Sequence, residues 1–114
     1  MDITRTIAIE GYSKEEYPVL TSQLEKAVSE HHSWIVDFKK YSKTQASFTI
    51  ETDLSALENL LADIARLDIA LYPENYLFEI RELRAHIRQK EADIQLIFTI
   101  HFIQNQKDFR KEFE

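Results

Sequence analysis

Residues 3–10 alternate between apolar and polar positions, which is the pattern of a β-strand with one buried face. In the segment ITRTIAIE, Ile3, Ile7 and Ile9 fall on one face together with Arg5. Gly11 follows this run and is expected to end the strand.

A helical pattern follows, with apolar residues at spacings of three and four. The segment SKEE, Ser13 to Glu16, matches a capping box, in which the serine caps the helix and the glutamate reaches back to it. Pro18 is tolerated in a first helical turn, so the regular helix could also begin there. The predicted buried face holds Tyr17, Leu20, Leu24 and Val28.

Two further alternating segments flank the sequence YSKT and predict a β-hairpin. Pairing Phe38 with Phe48 keeps the apolar residues of both strands on one side of the sheet. These residues are Trp34, Val36 and Phe38 in the first strand and Ala46, Phe48 and Ile50 in the second.

The segment TDLSALENLLADIARLDIA predicts a second amphipathic helix. Thr52 or Asp53 is the expected N-cap, because both side chains can accept a hydrogen bond from the first helical turn. The stripe facing the core runs through Leu54, Leu57, Leu61 and Ile64 to Asp68, and the sequence YPEN then forms a turn.

Residues 75–89 fit two structures. In a hairpin that reverses near Lys90, Leu83 would face Phe98, and Arg88 would face Asp93 as a cross-strand charge pair. In a helix, Tyr76, Ile80, Leu83 and Ile87 would form one apolar stripe, and the composition favours this alternative. We favour the hairpin. A strand over residues 93–103 is expected in either case.

These elements predict an α+β domain over residues 1–103 with a ferredoxin-like split βαβ arrangement. The expected sheet is antiparallel, with four or five strands and two helices packed on one face. Residues 104–114 are expected to form a short C-terminal helix or a frayed tail.

Composition excludes several classes of function. The chain has one glycine, whereas phosphate-binding loops need several to let the backbone approach the anion. It has no cysteine, which excludes disulfides, thiolate metal sites and cysteine nucleophiles. The net charge of −6 disfavours direct nucleic-acid binding, and no apolar run is long enough to span a membrane. With no signal peptide evident, we expect a cytoplasmic protein.

Four residues form a candidate site on the predicted sheet face away from the helices: Arg84, His86, Arg88 and His101. Histidine can act as a general acid or base, or bind a metal. The neighbouring arginines repel a divalent cation, however, and no carboxylate completes a ligand set. We therefore expect no catalytic residue, cofactor or metal here.

The charge is concentrated in residues 44–80, which contain seven acidic residues and one basic residue and so account for the whole net charge of −6. An acidic surface can attract a basic partner and reject acidic ones. The predicted partner-binding residues are Glu51, Asp53, Glu58, Asp63 and Asp68.

The sequence thus predicts a non-catalytic protein that binds another protein, and the acidic surface points to a basic partner that it neutralises or regulates. Two alternatives stay open. One is a homo-oligomer built through the second sheet face, where Ile97, Ile103 and Ile35 would leave apolar side chains. The other is a small-molecule-binding protein or enzyme with a pocket between sheet and helices.

Overall fold

A computed structural model describes residues 5–87 and 93–103 of the chain. Within these residues the fold is α+β, with five strands and three helices. In chain order they are β1 (Arg5–Ser13), α1 (Tyr17–Glu30), β2 (Trp34–Ser42), β3 (Gln45–Asp53), α2 (Leu54–Ala65), β4 (Ala70–Tyr72), α3 (Tyr76–His86) and β5 (Asp93–Phe102). Among the described helices none combines the length and apolarity needed to cross a bilayer.

The described strands form a single mixed sheet in the order β2-β3-β5-β1-β4. β5 lies between β1, to which it runs parallel, and β3, to which it runs antiparallel. The antiparallel ferredoxin-like arrangement with two helices is therefore only partly matched, because the central pair is parallel and the described part of the chain has a third helix.

The sheet has one face covered by helices and one open face. On the covered face, β5 buries alternate residues from Ile94 to Phe102, and β3 buries Ala46, Phe48 and Ile50 as predicted. Helices α1 and α2 supply the other half of the core, including Leu20, Leu24, Leu57, Leu60, Leu61 and Ile64. The open face of the two strands is lined largely by threonine, serine and glutamine, with Ile97 among them.

The predicted hairpin of residues 83–98 is wrong, and its helical alternative is correct over α3. Ile80 is buried, and Leu83 and Ile87 pack at the border of the core, as the helical stripe predicts. β5 does not need a local partner because β1 and β3 bond to it on its two sides. Arg88, the proposed partner of Asp93, lies outside the described residues, as do Ile3 and residues 104–114.

Two boundaries also differ from the prediction. β1 continues through Gly11 to Ser13, and α1 begins at Tyr17 with Glu16 as its N-cap residue. The capping box is wrong because the Ser13 hydroxyl is used elsewhere: it donates to the backbone oxygen of Asp68 and accepts from the backbone N–H of Glu15. The N-cap of α2 is Asp53, whose side chain accepts from Ala56 N–H at 2.8 Å.

The predicted β2–β3 hairpin is confirmed, and Phe38 lies opposite Phe48. The pairing is irregular at Val36 and at Tyr41, however. Residues of β2 beyond these two positions therefore lie on the opposite face from the one predicted. Trp34 lies opposite Glu51 on the open face, whereas Ile35 lies opposite Ile50 and packs against the core. Trp34 and Phe38 are therefore on different faces of the sheet, and Ile35 is not an open-face residue.

Candidate functional site

Glu58 on α2 is neutralised by arginines of α3. Its carboxylate accepts a hydrogen bond of 2.6 Å from Nη1 of Arg84 and lies 3.6 Å from Nε of Arg81. The carboxylate is about a quarter exposed, so water screens the pairs only in part. Glu58 thus joins α2 to α3.

Asp63 performs the same task on the side of α2 that meets α1. One of its carboxylate oxygens lies 2.5 Å from Nε2 of His31, the C-cap residue of α1, and the other accepts from Nη1 of Arg66 at 2.9 Å. The hydrogen bond to His31, together with the charges of His31 and Arg66, lowers the pKa of Asp63 below its ordinary value of 3.8, against a smaller opposing effect of burial. Asp63 thus joins α2 to α1.

The remaining three predicted partner-binding residues lie elsewhere. Glu51 is on the open sheet face, where it accepts a hydrogen bond from the indole of Trp34 at 3.0 Å. Asp53 caps α2, and Asp68 is exposed in the segment after that helix. The five acidic residues are therefore spread over the open face, two flanks of α2 and its two ends, instead of forming one surface.

The predicted site of Arg84, His86, Arg88 and His101 does not form one cluster either. Arg84 and His86 lie near the end of α3, where Nε2 of His86 is 3.9 Å from Glu82. His101 is on β5, on the open face of the sheet as predicted, and Arg88 lies outside the described residues. Arg84 and His86 do not share the sheet face with His101, because α3 replaces the predicted strand.

His101 belongs to a cluster of rings that the sequence did not reveal. Tyr12 of β1 stacks on it with ring centroids 4.6 Å apart, and Tyr72 of β4 meets Tyr12 edge-on at 5.2 Å. Nε2 of His101 lies 3.4 Å from the Glu10 carboxylate. The cluster depends on the parallel register of β1 and β5, which no local pattern encodes. Nowhere in residues 5–87 or 93–103 do three potential metal ligands converge.

The most exposed apolar region of the described chain lies on β2. Four of the seven exposed large hydrophobic residues within residues 5–87 and 93–103 belong to this strand. Their exposed fractions are 58% for Trp34, 44% for Val36, 42% for Phe38 and 61% for Tyr41. β2 is an edge strand of nine residues, bonded to β3 on one side and to no other strand of the described chain. It therefore presents backbone donors and acceptors together with apolar side chains.

An apolar groove of about 550 Å³ follows β2 on the helix-covered side. Tyr17, Thr21 and Val28 of α1 line one wall, and Phe38 of β2 lines the other. The Thr21 hydroxyl is buried and has no hydrogen-bond partner among the described residues. The groove continues the exposed apolar strip of β2 toward the core.

The charged residues of β2 are arranged on both faces. Lys40 points to the helix side, where its ammonium group lies 4.5 Å from the ring centroid of Tyr17. Asp37 and Lys39 lie on the open face, opposite Thr49 and Ser47 of β3. Neither forms an ion pair with any residue that the structure describes. We define the β2 edge as the backbone of this strand, its four exposed apolar side chains and these two charges.

Sequence reasoning did not single out the β2 edge because a hairpin strand becomes an edge only when no further strand joins it. The alternating apolar residues of the segment SWIVDFKKY predict a face that packs in the core, whereas most of them are exposed. Comparison with protein-family models, curated proteins and solved structures finds no match to the chain.

Proposed function

We propose that this chain is a protein-binding domain that accepts an extended segment of a partner chain along the β2 edge. The observation that carries the proposal is the concentration of exposed apolar side chains on the long edge strand of the sheet. Exposed apolar patches mark interaction sites, and an open strand edge is a template for an added strand.

Strand addition explains why the groove lies beside the edge. The backbone hydrogen bonds of an added strand supply affinity without regard to sequence, and pockets for alternate side chains supply specificity. A partner side chain on the helix side would enter the groove between Tyr17 and Phe38. Side chains on the other side would meet Trp34 and the charges of Asp37 and Lys39.

This proposal moves the binding surface away from the acidic helix. Glu58 and Asp63 are matched by cationic side chains of the same chain, so their charge is largely compensated within the fold. The proposal keeps the protein-binding role that the sequence suggests and assigns it to the exposed apolar residues of the β2 edge instead of to α2.

Selection of extended peptides tests the proposal. A displayed library of random ten-residue peptides is selected on the immobilised full chain, and the affinity of the selected peptides is measured for two variants. Tyr41→Glu alters the β2 edge, and Phe78→Glu is the matched control, because Phe78 on α3 is also an aromatic residue with 61% exposure.

We expect selected peptides to bind Phe78→Glu as they bind the wild type, and to bind Tyr41→Glu about tenfold or more weakly, since a charge replaces an apolar contact. Backbone amide shifts in NMR spectra should change along β2 on binding. Peptides that bind both variants equally and shift residues of another element would refute the proposal.

A second candidate function is the binding of a small aromatic ligand at the ring cluster on the open face. A cavity of about 760 Å³ adjoins Tyr12 and Tyr72 and is also lined by Lys14 and Asp68. An NMR screen of aromatic fragments should then shift the resonances of Tyr12, and Tyr72→Ala should abolish the shifts. Fragments that leave Tyr12 unchanged would eliminate this candidate.

A further inference from the structure

We infer that the partner strand is β2 of a second copy of this chain, so that two sheets join into one across a two-fold axis. This inference rests on the proposed function of the β2 edge and names the partner. It follows from the order of charges along the strand.

Symmetry restricts how two copies of β2 can pair. Two identical strands that lie side by side and antiparallel are related by a two-fold axis perpendicular to the sheet. Paired residues always share a face of a sheet, and this axis leaves each side chain on its own face. The residue at the centre of the pairing must therefore lie opposite the same residue of the other copy. The helices of both copies then lie on the same side of the joined sheet.

The regular part of β2 runs from Asp37 to Lys40, between the two irregularities in its pairing. Centring the pairing on Asp37 would place two aspartates opposite each other on the open face. Centring it on Lys39 or on Lys40 would place two lysines opposite each other. All three arrangements bring like charges together.

Centring the pairing on Phe38 gives the opposite result. Asp37 of each copy then faces Lys39 of the other, so two attractive charge pairs form on the open face. Neither of these residues has an ion-pair partner among the described residues of its own chain. The sequence Asp37-Phe38-Lys39 is thus complementary to itself in the one register that symmetry and charge both allow.

The helix side of the edge supports the same register. Phe38 of each copy would lie next to the axis, and its exposed surface would be covered by its counterpart. Phe38 already packs on Phe48 with ring centroids 5.0 Å apart, and Tyr17 lies behind it at 6.2 Å. The second phenylalanine would therefore extend an existing aromatic cluster across the interface.

Sedimentation velocity of the full chain over a range of concentrations tests this inference. The variants are Asp37→Lys, Lys39→Asp and the double exchange Asp37→Lys/Lys39→Asp. Both positions are exposed, so the variants are expected to fold. The control is Asp68→Lys, which makes the same change in charge as Asp37→Lys at an exposed position outside β2.

We expect the wild type and the control to form dimers with similar dissociation constants. Each single exchange replaces two attractive pairs by two repulsive ones and should weaken the dimer about tenfold or more. The double exchange restores opposite charges in both pairs and should return the dissociation constant to within about threefold of the wild type.

The outcomes separate this inference from the proposed function. A wild type that stays monomeric overturns self-pairing, and selected peptides that still bind along β2 would then leave the protein-binding role intact. If neither single exchange changes the dissociation constant of the dimer, or if the double exchange does not restore it, the dimer forms through another surface. Either result also overturns the inference.

Discussion

Gly11 is the seventh of the nine residues of β1, at a position where a side chain does not fit. A Cβ atom at this position would lie 2.5 Å from Cδ1 of Ile69 and 2.9 Å from Cε1 of Phe98. The sequence suggested a strand end, since glycine commonly marks one, whereas its role here is to let β1 pass close to the segment before β4. Glycine within a strand often marks such a close approach.

Replacing this glycine tests the packing. We expect Gly11→Ala to lower the free energy of unfolding by about 1–3 kcal/mol, because Ile69 and Phe98 must move to admit the methyl group. Urea unfolding followed by circular dichroism measures the change. The control is Ala8→Ser, which adds an atom at an exposed position of the same strand and should have little effect. If all three proteins are equally stable, Ile69 and Phe98 can move aside for the methyl group without a loss of unfolding free energy.

At the scale of elements, the acidic residues of α2 link this helix to both of its neighbours in the helical layer. Glu58 binds arginines of α3 on one flank, and Asp63 binds His31 of α1 on the other. The charge asymmetry of residues 44–80 was visible in the sequence, but its meaning was not. Arg81, Arg84 and His31 lie more than twenty positions away along the chain, so only the packing of three helices reveals that they meet these carboxylates.

The lowered pKa of Asp63 predicts a dependence of stability on pH. The folded state favours the ionised carboxylate, so its contribution is present above the ordinary value of 3.8 and is lost as the pH falls through the lower folded pKa. Asp63→Asn should therefore be less stable than the wild type at pH 5.5, and the difference should shrink at pH 3.

Urea unfolding at the two pH values measures this difference. Asp68→Asn is the control, because that side chain is exposed and has no ion pair in the described part of the chain. If the wild type and Asp63→Asn differ equally at both pH values, the contact with His31 does not hold the carboxylate in its ionised form.

The location of α3 shows why local patterns failed for one element and succeeded for others. The β2–β3 hairpin and the start of α2 are determined by neighbouring residues, and the pairing of Phe38 with Phe48 and the Asp53 N-cap were predicted correctly. The predicted stripe of α2 ran on to Asp68, however, whereas the helix ends at Ala65. In residues 76–87 the apolar positions satisfy both a helical and a strand period. The choice between helix and strand depends on whether β5 still needs a neighbouring strand. That neighbour is β1, which lies more than 80 residues before β5 in the sequence.

At the scale of the whole molecule, helices cover one side of the sheet that the described strands form, and β5 shows the contrast between the two sides within one strand. Phe98 on the covered face is buried, whereas Ile97 on the open face is partly exposed. The alternation of these positions was predicted from the sequence. The sequence did not predict which strands flank β5, or which strand becomes the edge of the sheet. Strand order depends on contacts between segments that are distant in the sequence.

Neighbouring truncations in β5 test this two-faced character. We expect Phe98→Ala to cost about 3–5 kcal/mol of unfolding free energy, since it leaves a cavity in the core. Ile97→Ala should cost less than about 1.5 kcal/mol, because it removes a side chain that is already in contact with water. Thermal and urea unfolding measure both. Similar losses for the two variants would show that the open face is covered.

The insertion of β5 between β1 and β3 also has a consequence for synthesis. An emerging chain that has reached the end of α3 can close the β2–β3 hairpin and form its helices, but β1 and β3 still lack the strand that joins them. The sheet can assemble only after residues 93–102 leave the ribosome. We expect the nascent chain to expose the inner edges of β1 and β3 until then.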